Sequence, residues 1–233
     1  MAIQALNDVD GEDEMRKVII FGLKDYAELA HYYLAHDSSD DVVAFCVHRD
    51  YMPADQMFLG LPVIPFEEVA SLYPPGDYFF FVPMSPKAMN RDREKIYLAV
   101  KDMGYQCISY VSSQATTFGN EIGENCFILE NNTIQPFTKI GNNVALWSGN
   151  HIGHHGIIRD HVTFTSHVVM SGHCDIGAYS FFGVNSTLRN ALKIAEGSFI
   201  AMSAAVVKDT EAWAVYKGNP AIKMDIPSTK MRF

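Results

Sequence analysis

From Ile122 to Val206 a large apolar residue stands at every sixth position without a slip in phase. Four residues after each comes a smaller one, from Cys126 through Ala204, with Leu192 the one bulky exception. Glycine directly follows the large residue at Gly123, Gly141, Gly153, Gly177 and Gly183. A period of six is neither the 3.6 of a helix nor the 2 of a strand. It fits a unit made of one short strand and one corner, with the large residue inward and the small one letting the corner close. Three units make an 18-residue triangular coil, and coils stack at the strand spacing of about 4.8 Å. Fifteen units give five coils, a prism about 24 Å tall. An antiparallel sandwich would instead need an alternation of two, with turn signals every ~8–12 residues.

Upstream, from Lys17 to about Ser112, strand and helix patterns alternate. KVIIFG reads as a buried strand. DYAELAHYYLAHD carries the apolar stripe of a helix, with Asp25 and Glu28 spaced as a capping box. DVVAFCVHRD is a second strand, LPVIPFEEVASLY a strand or turn and then a short helix, and DYFFFVPMS a third strong strand. RDREKIYLAVKDMG is a helix ended by Gly104, and YQCISYVS a further strand. Such alternation predicts a parallel sheet flanked by helices, a Rossmann-like α/β domain. The expected organisation is an acidic flexible tail over 1–15, the α/β domain over 16–112, the β-helix over 113–212 and a closing segment over 213–233.

Composition narrows the function. With 18 basic and 27 acidic residues the chain carries a formal charge of −9, which argues against a nucleic-acid partner. No apolar run approaches the ~20 residues of a membrane span, and the first fifteen residues lack the basic and apolar regions of a signal peptide. The four cysteines are scattered without a C-x-x-C pair, as expected of reduced thiols in a cytoplasmic protein.

The hexad pattern resembles that of the left-handed β-helix acyltransferases, and the left hand follows from the resemblance. With KVIIFG upstream and YKGNPA (Tyr216 to Ala221) downstream, the chain resembles the PglD/NeuD-like nucleotide-sugar acetyltransferases over about residues 16–223. That resemblance implies a homotrimer with active sites between subunits. It implies acetyl transfer from acetyl-CoA to a sugar amine, such as that of a nucleotide-linked 4-amino-4,6-dideoxy sugar, for a surface polysaccharide or glycan. Transfer to a sugar hydroxyl, as in the sialic-acid branch, and a non-catalytic trimeric scaffold are the alternatives.

Four histidines crowd GNHIGHHGIIRDH, Gly149 to His161. In the resembling enzymes a histidine two residues after an interior position is the general base, which here is His154 after Ile152. Its neighbour there is usually acidic; here it is His155, with Asp160 as a possible substitute. A neutral imidazole suits removal of a proton from a sugar ammonium near pH 7. His155, His161, His167 and His173 fall six apart and are expected to point outward near corners, His161, His167 and His173 as a solvated or interface-lining polar ladder and His155 either in that ladder or in the catalytic site beside His154; His151 is expected to face the site or a neighbour. A zinc site of the γ-carbonic anhydrase type would need an H-x-x-x-x-H pair, which these histidines do not form, so no metal is expected. For coenzyme A the resemblance points to Gly172, Val184, Ala201, Met202, Asn219 and Pro220, with Lys208, Lys217 and Lys223 as candidates for its 3′-phosphate. FGLKDYAE keeps only Gly22 of a dinucleotide fingerprint, so NAD is not expected. The nucleotide sugar is expected at Gly22, Lys24 and Asp25, at Asp50 after the second strand, and at Ser85 and Lys87 after the third strong strand.

Overall fold

The structure is a computed structural model and describes residues 15–231. The acidic tail expected over 1–15 therefore lies, but for Met15, outside the described residues. Six strands form the first sheet: β1 (Lys17–Phe21), β2 (Asp41–Val47), β3 (Met57–Phe58), β4 (Leu61–Pro65), β5 (Phe79–Phe81) and β6 (Gln106–Cys107). Their order is β3-β4-β2-β1-β5-β6, parallel except for β3 against β4. Val18, Ile19 and Ile20 of β1 are fully buried, because a central parallel strand is covered on both faces. Three helices complete the unit: α1 (Asp25–Asp37), α2 (Val69–Leu72) and α3 (Arg91–Asp102).

Two local expectations are corrected. The capping box does not form: α1 begins at Asp25 itself, Lys24 occupies the N-cap, and no side chain caps the helix. The Lys24 carbonyl accepts from Ala27 and Glu28 N–H instead, which leaves Asp25 and Glu28 as first-turn acids favoured by the helix dipole. YQCISYVS is not one strand either. Gln106–Cys107 closes the first sheet, whereas β7 (Tyr110–Val111) pairs with Phe127–Ile128 in the second half.

That second half is a three-sided parallel β-helix. Two-residue strands recur every six residues, and each pairs with the strand eighteen residues on. The sixth-position residues from Ile128 to Val206 are at most 4% exposed and form one core. Burying each such side chain contributes on the order of 1.5–3 kcal/mol. Three sheets make the sides. An eight-stranded sheet runs through Ala145–Leu146 and Thr163–Phe164, a five-stranded one through His151–Ile152 and Val169–Met170, and a four-stranded one through Ile157–Ile158 and Asp175–Ile176.

The corners explain the histidine spacing. Every sixth residue from Asn125 to Ser203 has a positive φ, glycines at 149 and 197 included. Asparagine and histidine enter this left-handed region more readily than most residues, and His155, His161, His167 and His173 sit there with φ of 54–63°. Equivalent corners stack in three columns.

The α/β unit covers the eight-stranded sheet. Phe127 and Leu129 share a core with α1 and β1, and Arg93 of α3, 2% exposed, reaches Asn90, the Val162 carbonyl and Thr163. The column of Asn143, His161 and Tyr179 lies under α3. Of the two places its spacing allowed, solvated or interface-lining, His161 is not solvated: it is 8% exposed, against Tyr97 of α3. Its Nδ1 lies 2.9 Å from Asn143 Nδ2, its ring stacks on Tyr179 at 5.0 Å, and its Nε2 is 3.5 Å from Glu94.

Burial lowers the His161 pKa, against the attraction of Glu94 and Asp160. The unfolded chain therefore takes up this proton first as the pH falls. The contribution is full above about pH 6.5 and is lost as the pH drops toward and through the lower folded value. His161→Asn, which tolerates the same backbone, should flatten the decline in urea stability below about pH 6.5 relative to the parent; parallel pH profiles would remove His161 from that decline.

Candidate functional site

Two separate places collect the chemistry. The first is a crevice of about 650 Å³ at the carboxyl ends of β1, β2 and β5. β1 lies between β2 and β5, and ligands of open α/β sheets settle where the strand order reverses in this way. The walls come from the turn after β1 (Gly22 to Ala27), from Val47 and Tyr51, and from Pro83 to Ser85, Lys87 and Asp92. Gly22 has φ 116°, which frees the chain to turn from strand to helix. Gly22, Lys24, Asp25, Ser85 and Lys87 thus share one cavity, with Lys24 at the start of α1. Asp50 is not in the wall: it sits in the 3₁₀ turn Arg49–Tyr51, and Tyr51 lines the crevice in its place. Sequence reasoning also passed over Tyr26, which lines the crevice and meets Trp147 of the β-helix edge-on at 5.5 Å.

The second place is the corner between the five- and four-stranded sheets. His154 leaves the strand His151–Ile152 and His155 makes the corner, both exposed. Their Nδ1 atoms are 2.9 Å apart. A hydrogen bond there needs one ring protonated at Nδ1 and the other not. One coil on, His173 stacks on His155 at 5.0 Å with planes 16° apart, and meets His154 edge-on at 4.9 Å. One coil back, Phe137 covers His155 at 4.6 Å. The backbone ties the group together, as His173 N–H donates to the His154 carbonyl and His154 N–H to Gln135 Oε1. Gly172 lies against the His154 ring: a Cβ there would stand 2.8 Å from Cε1 and Nε2. Phe137 and Gln135 enter the site unforeseen, whereas the stacking of His173 on His155 one coil away is what their spacing of eighteen predicts. The signal was in the chain, since residues 137, 155 and 173 are eighteen apart.

The other candidates are dispersed. Asp160 stands at the α3 corner, where its Oδ1 accepts from Asn142 N–H at 2.7 Å, and so is not the partner of His154. Val184 and Met202 are exposed one coil apart on the corner between the eight- and five-stranded sheets. Ala201 packs partly against the cluster of Met89 and Phe181. Asn219 and Pro220, joined by a cis peptide, lie in a turn whose Gly218 carbonyl and Ala221 N–H bond to Ala205 of the five-stranded sheet. Lys208 and Lys217 are exposed, and Lys223 is paired with Glu211. His151 is half-buried and His167 exposed, the latter against Gly149. Cys46, Cys107, Cys126 and Cys174 are free and buried, and burial raises each thiol pKa. No helix among the described residues is long and apolar enough to cross a membrane.

The three-sided geometry separates the two places. The α/β unit covers one side of the prism, and the corner with His154 is the vertex opposite that side.

Residues 121–154 match the family model for the bacterial transferase hexapeptide, six repeats. An acyl-[acyl-carrier-protein]–UDP-N-acetylglucosamine O-acyltransferase of Helicobacter pylori is 30% identical over 118 residues, 48% of this chain and 44% of that protein. The chain thus spans less than half the length of this curated relative. In fold, perosamine N-acetyltransferase from Caulobacter crescentus, solved as a histidine variant with CoA and GDP-perosamine, matches 90% of this chain and 97% of its own with a TM-score of 0.80 at 20% identity. The acetyltransferase domain of PglB from Neisseria gonorrhoeae, in complex with acetyl coenzyme A, matches 90% and 100% with a TM-score of 0.79 at 19% identity.

Gly172→Ala is allowed by its backbone but should push the His154 ring off its seat. We expect an unchanged melting temperature within a few degrees and shifted ¹⁵N imidazole resonances for His154 and His155; unmoved resonances would show that the ring does not rest there. Residues 121–154 thus carry the bacterial transferase hexapeptide repeat, and over 90% of its length the chain has the fold of the perosamine N-acetyltransferase from Caulobacter crescentus.

Proposed function

We propose that the protein is an acetyl-CoA-dependent N-acetyltransferase acting on a nucleotide-linked amino sugar. The observation that carries the reading is one exposed imidazole, His154, held by a neighbouring ring at a β-helix corner in a chain whose α/β unit has a crevice of nucleotide size. Gly22, Lys24, Asp25, Ser85 and Lys87 would take the nucleotide, with the lysine ammoniums and the start of α1 facing its phosphates. Coenzyme A would run along the five-stranded side, past Gly172 and toward the turn of Asn219 and Pro220. Its outward residues there, Thr133, His151, Val169, Thr187 and Ala205, include no carboxylate or ammonium.

The chemistry needs one tautomer. If His154 donates its Nδ1–H to His155 Nδ1, its Nε2 keeps a lone pair. That nitrogen takes the proton from the attacking amine as the C–N bond forms, a backbone N–H holds the oxyanion, and collapse of the intermediate breaks the C–S bond and releases the coenzyme A thiolate, to which the imidazolium can return the proton. The opposite arrangement would put the proton on Nε2 and leave nothing to accept. His155 is then a positioning residue doing the work of the usual carboxylate. No covalent intermediate is required, which agrees with four buried thiols.

Because His154 stands opposite the side covered by its own α/β unit, a sugar held in that crevice would react at a neighbour's corner. This supports a homotrimer with shared sites. The sugar O-acetyltransferase reading is favoured only by the O-acyl activity of the curated relative, which is matched over 48% of this chain.

A thiol-release assay with nucleotide sugars tests the reading. Turnover is expected with 4-amino sugars; turnover only with hydroxyl acceptors would replace amide by ester formation. His154→Asn should lower kcat/KM by ~10²-fold or more with the oligomer intact, and full activity would end its role as base. Mixed trimers offer a second check: chains carrying His154→Asn and chains carrying Lys24→Glu, each inactive alone, should regain activity when co-assembled. Failure of properly mixed trimers to recover would place each site within one chain.

A further inference from the structure

We propose that His154, His155 and His173 form a binding site for a divalent transition-metal ion of the Zn²⁺ class, and that occupancy switches acyl transfer off. The first part stands on geometry alone; the second rests on the proposed role of His154.

Each of the three rings offers a nitrogen, and the three nitrogens lie within 4.8 Å of one another. Zinc bonds of about 2.0–2.1 Å in a tetrahedron set neighbouring ligand atoms about 3.4 Å apart. The 2.9 Å between the Nδ1 atoms of His154 and His155 must open slightly and the longer gaps must close. An imidazole lone pair lies in the ring plane, so the stacked rings of His155 and His173, 16° apart, must turn out of their stack about χ1 and χ2 to face one ion, which their exposure allows. The backbone needs no change: His155 and His173 are fixed at stacked corners with φ of 54° and 61°, and His173 N–H is bonded to the His154 carbonyl. Three ligands supplied by one rigid wall leave the solvent side for a water as the fourth.

The donor set selects the ion. Imidazole suits zinc, cobalt, nickel and copper, whereas magnesium and calcium want oxygen. Among the described residues no salt bridge engages any of the three histidines, so no ammonium or carboxylate competes for the rings in a salt bridge. The chain's charge of −9 favours cations in its vicinity. Phe137 closes the far face of His155 at 4.6 Å and limits the ring's escape.

Inhibition follows from the electron count of imidazole. A neutral ring has one nitrogen lone pair free in the plane, the other nitrogen carrying the proton. If the metal takes that lone pair on His154, either nitrogen being used, none is left to accept a proton from the amine. The site would make the enzyme sensitive to free zinc.

The experiment uses the full chain, purified without a histidine tag and stripped with chelator. Zn²⁺ is titrated against a chromophoric zinc indicator, and Co²⁺ binding is followed by its visible absorption. One ion per chain is expected, with acetyl transfer lost in parallel and restored by EDTA. His173→Asn keeps a residue suited to the left-handed corner. Loss of outer-shell partners alone weakens metal sites by about 10–100-fold, so loss of this ligand should cost at least about tenfold. It should also shift zinc inhibition to correspondingly higher concentration. Absence of binding, or binding unaltered by His173→Asn, would overturn the site. Binding that His173→Asn weakens, in a protein that stays active when saturated with zinc, would overturn the switch. The same binding in a protein that acylates no acceptor would keep the site while refuting the acetyltransferase reading.

Discussion

The stacking of one eighteen-residue coil on the next governs everything else in the molecule. Each two-residue strand is too short to hold its own place. It is fixed by backbone hydrogen bonds to the coils on either side and by an inward residue that meets its counterpart, as Phe164 meets Phe182 with ring centroids 4.3 Å apart. A register slip of one residue would turn the core set outward. So would an insertion, unless it bulged out at a corner. The register therefore dictates which side chains become neighbours at the surface. Residues eighteen apart are forced into contact, and so His155 touches His173 and the His154 ring lies on Gly172.

The second constraint is the docking of the α/β unit on one side of the prism. The outward residues of the eight-stranded sheet, Phe127, Phe181 and Phe199, are buried, which a free β-helix face would not tolerate in water. Glu124 binds Tyr97 and Lys101 of α3, and Asp37 of α1 accepts from Tyr110 and Ser113. The two units thereby hold a fixed relation, with the crevice on one flank and the histidine corner on the opposite vertex. Under the proposed function, chemistry joining them would be shared between chains.

The period of six was legible because the core repeats it without interruption, and so was the alternation of strands and helices before it. What escaped were features set by tertiary position. Asp25 and Glu28 have the spacing of a capping box, but the turn out of β1 starts the helix a residue early and uses the Lys24 carbonyl instead. Four histidines six apart look alike as text. Yet α3 lies over His161 and Phe137 over His155, while His167 is exposed. Periodicity assigns a residue to a corner; only the packing of the other half of the chain decides which corner is wet. Asp50 and Tyr51 differ by one position at the end of a strand, and the 3₁₀ turn there gives the crevice to the tyrosine.

A histidine rather than an acid beside His154 has a physical consequence beyond a missing charge. A carboxylate accepts hydrogen bonds only and would hold the base in one tautomer at any pH where it is ionised. An imidazole can accept or donate at the same nitrogen, so the pair has two arrangements, of which one leaves Nε2 of His154 able to take a proton. It also brings an imidazole nitrogen to a corner where register already supplies another in His173. A histidine at 155 thus leaves the proposed base less strictly oriented and supplies the proposed metal corner with a further nitrogen, and the eighteen-residue register adds the ring of His173.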